Sequence, residues 1–363
     1  MFVKYLSLKN FRNYEALSME FDPGINLLYG SNAQGKTNIL EAVYLAGTTK
    51  SHRGTKDRDM IRMGEEEGHI RMLLDRNANE YRVDLHLRKG RSKGAAINGL
   101  PVRKAAELYS ITSFVFFSPE DLGIIKNGPA GRRKFLDVIL CGTDMLYLSD
   151  LTKYGKIVSQ RNALLHDLPF HPDRTQELDI WDLELIGTGK RIIEKRSSFL
   201  AVFGDIAASK HALLTGGRER LNITYEPNTG ADQLESRTAG NRDMDMRTRE
   251  THAGPHRDDL CIRVNGMDLR VYGSQGQQRT AALSMKMAEI DMIERMKGMK
   301  PVLLLDDVLS ELDADRQNAL LKGIHDTQTM ITCTGLDDFV SRTLGADRIF
   351  HVHGGSVTEQ SFV

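Results

Sequence analysis

Eight residues, Gly30-Ser31-Asn32-Ala33-Gln34-Gly35-Lys36-Thr37, fit the pattern G-x-x-x-x-G-K-[ST], whose backbone N–H groups wrap a polyphosphate. Lys36 would reach the β and γ phosphates, and the Thr37 hydroxyl would ligate Mg²⁺. The apolar run Ile25-Asn26-Leu27-Leu28-Tyr29 just ahead reads as a short buried strand. A helix expected from about Lys36 to Ala46, with Asn38 in its first turn, would direct its N-terminal dipole at the phosphates. Far along the chain, Val302-Leu303-Leu304-Leu305-Asp306-Asp307 is an aliphatic run ending in two carboxylates. As a buried parallel strand it would present both acids at its C-terminal end, where ligands sit in open α/β sheets. Asp306 would then hold Mg²⁺, mainly through water, and Asp307 would polarise the attacking water. These residues predict binding and hydrolysis of a nucleoside triphosphate, with Lys36 and Asp307 as the catalytic groups.

Between the two motifs lies Tyr272-Gly273-Ser274-Gln275-Gly276-Gln277-Gln278-Arg279, followed by a helical pattern from about Thr280 to Met296. A serine hydroxyl, glycine backbone that allows close approach, and a helix N-terminus can together grip a γ-phosphate. One chain's Gly-rich loop already covers one side of that phosphate. Ser274, Gln275, Gly276 and Gln277 are therefore expected to act in trans, on nucleotide held by a second chain. Beyond the aliphatic strand, Ser310-Glu311-Leu312-Asp313 resembles the segment that crosses the dimer interface in ATPases of the ABC type; Ser310 could also cap the helix expected from about Asp313 to Gly323, and nothing prevents both.

Composition sets agreeing limits. With 363 residues, 40% hydrophobic and 27% charged, the chain can build one large or two ordinary domains with sizeable cores. No run of 18 apolar residues predicts a membrane span, and Met1-Phe2-Val3-Lys4-Tyr5 opens a strand-like alternation instead of a signal peptide. Cys141, Cys261 and Cys333 are scattered without metal-ligand spacing, as expected of reduced, packed residues in the cytoplasm. Bases and acids balance at 49 each, so any nucleic-acid surface must be local.

The order of elements predicts an α/β ATPase head interrupted by an inserted helical lobe. Residues 1–125 open with strands and an Asn98-Gly99 hairpin turn and carry the Gly-rich loop. Over 126–249 the pattern turns helical, with helices expected from Gly128-Pro129, over Leu146 to Leu165 and over Trp181 to Phe203. A strand-like Leu221–Tyr225 then leads to a polar stretch, Pro227 to Arg249, which reads as an exposed connection. The head resumes over 250–363, with an Asn265-Gly266 hairpin ahead of the Ser274 motif. No sustained heptad repeat with charged flanks marks the insert, so a compact lobe is expected instead of a long coiled-coil arm.

In this order the pieces resemble the ABC/SMC-type ATPases, and within them the RecF family of bacterial DNA repair. The segments that carry the resemblance are Leu8-Lys9-Asn10-Phe11-Arg12-Asn13-Tyr14, the Gly-rich loop, Phe117-Ser118-Pro119-Glu120-Asp121-Leu122 and Gly131-Arg132-Arg133-Lys134-Phe135-Leu136-Asp137. Further on come Thr251-His252-Ala253-Gly254-Pro255-His256-Arg257-Asp258-Asp259-Leu260, the Ser274 motif and Leu305–Asp313. The resemblance implies an ATP- and Mg²⁺-dependent homodimer that binds double-stranded and gapped DNA. It further implies a weak DNA-dependent ATPase that acts with RecO and RecR to load recombinase at gaps, with hydrolysis resetting the dimer. Thr334, near the end of an expected Thr329–Thr334 strand, matches the place where transporters of the superfamily commonly carry a histidine, which leaves its sensor role open.

Two other classes fare worse. A transporter's nucleotide-binding subunit needs a membrane partner and no such insert, and a GTPase would carry an Asn-Lys-x-Asp motif that is missing. DNA contact is expected, if anywhere, in Thr49–Arg58, through Lys50, Arg53 and Lys56, although loop charge of this kind is often merely solvated. Arg12 resembles a family position near the nucleotide phosphates, and pairing with a nearby acid is the alternative. Arg132, Arg133 and Lys134 read as a solvated helix face or as intramolecular pairs before DNA contacts. His252 and His256 flank Gly254-Pro255, whose proline breaks regular ligand spacing, and neither they nor Arg257 receive a chemical role from sequence.

Overall fold

The computed structural model describes residues 1–324, 326–335 and 345–360. Short, mainly apolar strands are typical of parallel sheets covered on both faces. Phe114–Phe117, Val302–Asp306, Thr329–Cys333, Ile25–Tyr29 and Arg348–His353 lie side by side in parallel, and Ser356–Gln360 closes the edge antiparallel. The register sets Asp306 level with Thr332 and Thr332 level with Leu28. Both carboxylates of the aliphatic strand thus emerge beside the end of Ile25–Tyr29, from which the Gly-rich loop departs.

A second six-stranded sheet is antiparallel, in the order Tyr14–Glu20, Phe2–Phe11, Glu67–Arg76, Asn79–Arg88, Gly94–Ile97, Leu100–Pro101. Its last turn is the expected one: Asn98 and Gly99 both take positive φ, the two-residue geometry that matches strand twist. Alternation in these strands sends one face inward. Leu6, Ile70, Met72 and Leu85 from that face, Ile39, Leu40 and Val43 from the Lys36–Thr48 helix, and Leu28, Leu304 and Met330 from the parallel sheet share one core. The helix that starts at the Gly-rich loop is therefore fixed by packing, since an isolated helix of 13 residues is marginal in water.

The chain divides into two compact units, residues 1–121 with 289–363, and residues 122–288. The sequence had returned the chain to the head at 250. Packing instead groups 250–288 with the helical unit, because Asp259–Val264 pairs antiparallel with Leu221–Glu226 in a three-stranded sheet. Helices Pro129–Thr143 and Met145–Asp167 match the expected ones closely, while the third runs unbroken for 39 residues, Glu177–Thr215, well past both expected ends. The polar stretch is not a loose connection. Leu234–Thr248 is a helix whose inner face carries Leu234, Thr238, Asn241 and Asp245, all buried. That face is held by ion pairs and hydrogen bonds, so it shows no apolar period. Among the described residues no helix is long and apolar enough to cross a membrane, and Cys141, Cys261 and Cys333 are buried outside any disulfide.

Candidate phosphate-binding site

Between the Ile25–Tyr29 strand and the Lys36–Thr48 helix the loop runs Gly30 to Gly35, with positive φ at Gly30, Ala33 and Gly35. Gly35 has two reasons to be glycine. Its φ is 114°, and a Cβ there would stand 2.6 Å from both Asn13 Nδ2 and Tyr14 Oη. Asn13 braces the loop from below: its Nδ2 donates to the Gln34 carbonyl at 3.0 Å, while its Oδ1 accepts from Asn38 Nδ2 at 2.8 Å. Gln34 Oε1 accepts from Gly354 N–H at 2.7 Å. Ser31, Asn32 and Ala33 are exposed at the crest of the loop.

Lys36 folds back over this loop, donating to the carbonyls of Gly30 at 2.5 Å and Ser31 at 2.8 Å. Burial lowers its pKa, and the neighbouring Asp307, Cys333 and Asp306 pull in the opposite direction. Thr37 Oγ1 donates to Asp306 Oδ1 at 2.6 Å, so the two proposed metal ligands, 269 residues apart in sequence, already touch. Hydroxyl and carboxylate oxygens are the hard donors that Mg²⁺ takes when it keeps water and phosphate as its remaining ligands, so this pair fits the ion. Asp306 is 5% exposed. Its Oδ1 also accepts from Thr332 Oγ1 at 2.9 Å, and the same hydroxyl accepts the Asp307 N–H at 2.9 Å. Asp307 has φ 54°, a left-handed conformation in which the strand ends, and Ser310 Oγ donates to its carbonyl at 2.7 Å. A cavity of about 250 Å³ brings together Lys36, Thr37, Asn38, Arg53, Asp306, Asp307 and Thr332.

Thr332 was missed in the sequence, where Thr334 drew attention. Thr334 lies just past the Thr329–Cys333 strand and is exposed, while Thr332 holds both carboxylate positions in place. Ser310 does not cap the next helix either. Asp313 does, accepting from Arg316 N–H at 2.9 Å ahead of Ala314–Gly323.

Gln275–Lys297 is a 23-residue helix that starts at the Ser274 motif in the second unit and runs on into the first. Ser274 Oγ accepts from Gln277 N–H at 3.2 Å and Gln277 Oε1 accepts from Ser274 N–H at 3.0 Å, a reciprocal capping box. Gln277 is further anchored by Glu219 Oε1 at 2.9 Å. Ser274, Gln275 and Gly276 are all exposed at the positive end of the helix dipole. Val271 and Tyr272 beside them are 68% and 70% exposed.

The basic residues separate by environment. Arg12 is locked to Glu41 of the Gly-rich-loop helix, Nε to Oε2 at 2.8 Å and Nη2 to Oε1 at 3.0 Å, with Nη1 on the Asp59 carbonyl. This is the acid pairing that the sequence left open. Arg53 reaches the cavity, 3.7 Å from Asp306 and 3.7 Å from Glu120, and Lys50 and Lys56 are exposed.

The segments Gly131–Asp137 and Thr251–Leu260 meet in a buried ionic network. Arg132 pairs with Asp259, Arg133 donates to the Asp258 carbonyl, and Lys134 stays exposed. Arg196 pairs with Asp137 and Asp258 and donates to the Pro255 carbonyl, while Arg161 pairs with Asp182 and Asp245. His252 Nδ1 lies 2.8 Å from Asp245, and His256 contacts Tyr154 Oη and the Thr251 carbonyl, which ties both histidines into the network. Burial depresses the His256 pKa, and the hydrogen bond to the Thr251 carbonyl opposes that shift. Removing one member of a buried pair strands the other charge, so Arg196→Met is expected to cost about 3 kcal/mol of stability. Arg191→Met, which breaks an exposed pair with Asp150, should cost under about 1 kcal/mol. Urea unfolding of both variants checks this, and equal losses would show that burial is not what gives the network its weight.

The RecF/RecN/SMC N terminal domain model matches residues 2–356. A protein of Agathobacter rectalis named DNA replication and repair protein RecF is 53% identical over 98% of this chain and 99% of its own length. The protein of the same name from Clostridium tetani is 39% identical over 99% and 100%. A solved structure described as the recombination mediator protein RecF-ATP in the RecFOR pathway superposes with a TM-score of 0.92 at 36% identity, covering 99% of this chain and 98% of that one. An SMC head domain from Pyrococcus furiosus, 16% identical with a TM-score of 0.57, shares the fold. Both the end-to-end similarity and the paired loop and carboxylates lead to one assignment: the chain belongs to the RecF family of DNA replication and repair proteins.

Proposed function

We propose that the chain binds Mg²⁺-ATP at the Gly-rich loop, closes as a homodimer on double-stranded or gapped DNA in the cytoplasm, and helps RecO and RecR load recombinase at gaps. The observation that carries the reading is the Thr37–Asp306 hydrogen bond, which joins the Gly-rich loop to the carboxylate at the end of the aliphatic strand. Family membership supplies the DNA-repair setting, and the ATP-bound relative supports the choice of nucleotide. Gly30 to Asn38 would wrap the phosphates, Thr37 and Asp306 would hold Mg²⁺, and Asp307 would orient the water. Arg53, at the cavity rim, would contact phosphate, and Lys50 and Lys56 would meet DNA. The exposed Ser274 cap, flanked by Val271 and Tyr272, suits contact with nucleotide on a partner chain. Hydrolysis would be slow and DNA-dependent and would reopen the dimer. Mass in solution without nucleotide, with ATP, and with ATP and DNA tests the reading: a monomer under all three conditions refutes it.

Ser274→Arg separates the trans grip from nucleotide binding. It should leave ATP affinity of a single chain within about twofold while abolishing ATP-driven dimerisation, since its site lies outside the unit that holds the phosphate loop. If the variant loses ATP binding yet still dimerises, Ser274 does not act across chains.

A further inference from the structure

On the outer face of the antiparallel sheet, two adjacent strands bring together Glu67, His69 and His86. His69 and His86 are direct cross-strand partners of Glu67–Arg76 and Asn79–Arg88, and Glu67 precedes His69 by two residues, hence on the same face. The imidazoles stack with centroids 4.0 Å apart and planes 20° apart. Glu67 Oε2 lies 2.9 Å from His86 Nε2, Glu67 Oε1 lies 3.7 Å from His69 Nε2, and one ligand atom from each of the three residues falls within 4.8 Å of the others. Donors bound to one tetrahedral zinc ion stand about 3.4 Å apart, given bonds of about 2.0–2.1 Å. The two measured contacts bracket that spacing. None of the three residues takes part in the phosphate site.

We propose that Glu67, His69 and His86 form a Zn²⁺ site, with water completing the coordination. Two imidazoles and a carboxylate are a borderline donor set that favours zinc over the Mg²⁺ required at the phosphate loop. A groove of about 570 Å³ that both histidines line leaves the open coordination position accessible to solvent or a ligand. Lys9, the cross-strand neighbour of His69, adds an opposing positive charge, so the site is suited to reversible binding. Bound zinc would clip the open end of the hairpin whose inner face, with Ile70, Met72 and Leu85, packs in the core around the Lys36–Thr48 helix. Zinc would stabilise that sheet by mass action.

The test is a Co²⁺ titration of the full chain, without nucleotide and with millimolar Mg²⁺ to occupy the phosphate site, followed by Zn²⁺ displacement. One equivalent of Co²⁺ with the intense visible bands of a four- or five-coordinate ion is expected. His69→Asn and His86→Asn should each weaken binding at least about tenfold, with Glu67→Gln also weaker. All three side chains are partly exposed, so these variants should fold. Zn²⁺ should raise the thermal midpoint of the unmodified chain and leave that of the double His variant unchanged. Co²⁺ binding of equal strength in the double variant, or only the weak spectrum of the hydrated ion in the unmodified chain, would overturn the assignment.

Discussion

Replacing Lys36 by methionine is expected to lower ATP turnover about a thousandfold and to abolish ATP-driven dimerisation. The ammonium group is buried, and it is turned onto the Gly30 and Ser31 carbonyls, 2.5 and 2.8 Å away. It is the one cation whose tether is part of the phosphate loop itself. Phosphate oxygens held by the loop would be stronger acceptors than those carbonyls for the same ammonium group. Fixed positive charge at a transferring phosphoryl group acts in a water-poor cavity, where the loss of a single preorganised group costs about two to three orders of magnitude in rate. Methionine keeps the apolar stem and lacks only the terminal ammonium, so the fold should survive, as an unchanged unfolding midpoint without nucleotide would confirm. Phosphate release and solution mass are the two measurements. A variant that still dimerises with ATP and turns over normally would remove the basis for placing nucleotide at this loop.

The two adjacent carboxylates should separate binding from hydrolysis. Asp307→Asn is expected to reduce turnover by about two to four orders of magnitude, the usual contribution of a positioned general base. Asparagine tolerates the positive φ found at this position, so the backbone hydrogen bonds to Thr332 and Ser310 should persist. With Thr37 and Asp306 intact, the variant should bind Mg²⁺-ATP, accumulate as a closed dimer and leave DNA more slowly than the unmodified chain. Asp306→Asn should behave differently. Its carboxylate is the acceptor for both Thr37 and Thr332, and without its charge metal binding and hydrolysis should fail together. Phosphate release and DNA dissociation rates for both variants decide the matter. Wild-type turnover in Asp307→Asn, or unchanged residence on DNA, would rule out Asp307 as the residue that times opening.

Local chemistry made the Gly-rich loop and the carboxylate strand legible in the sequence. A turn that needs positive φ demands glycine, and a strand buried on both faces shows as an unbroken apolar run. The Ser274–Gln277 capping box emerged only in the structure, which starts its helix at Gln275 instead of about Thr280. The same reasoning located both Asn-Gly hairpins and most of the helices. What required the tertiary structure was every role set by register or by burial of charge. Thr332 becomes a partner of Asp306 only because parallel pairing brings the two level, and no spacing rule links residues on separate strands. Asn13 braces the loop across a sheet edge, and Arg12 closes on Glu41 through folding alone. The Leu234–Thr248 helix looked like a connection because its inner face is polar. Arg161 and His252 satisfy Asp245 there, from segments far away in the sequence or beyond the helix end. Apolar periodicity reports burial by the hydrophobic effect, whereas burial by paired charges leaves no period to read.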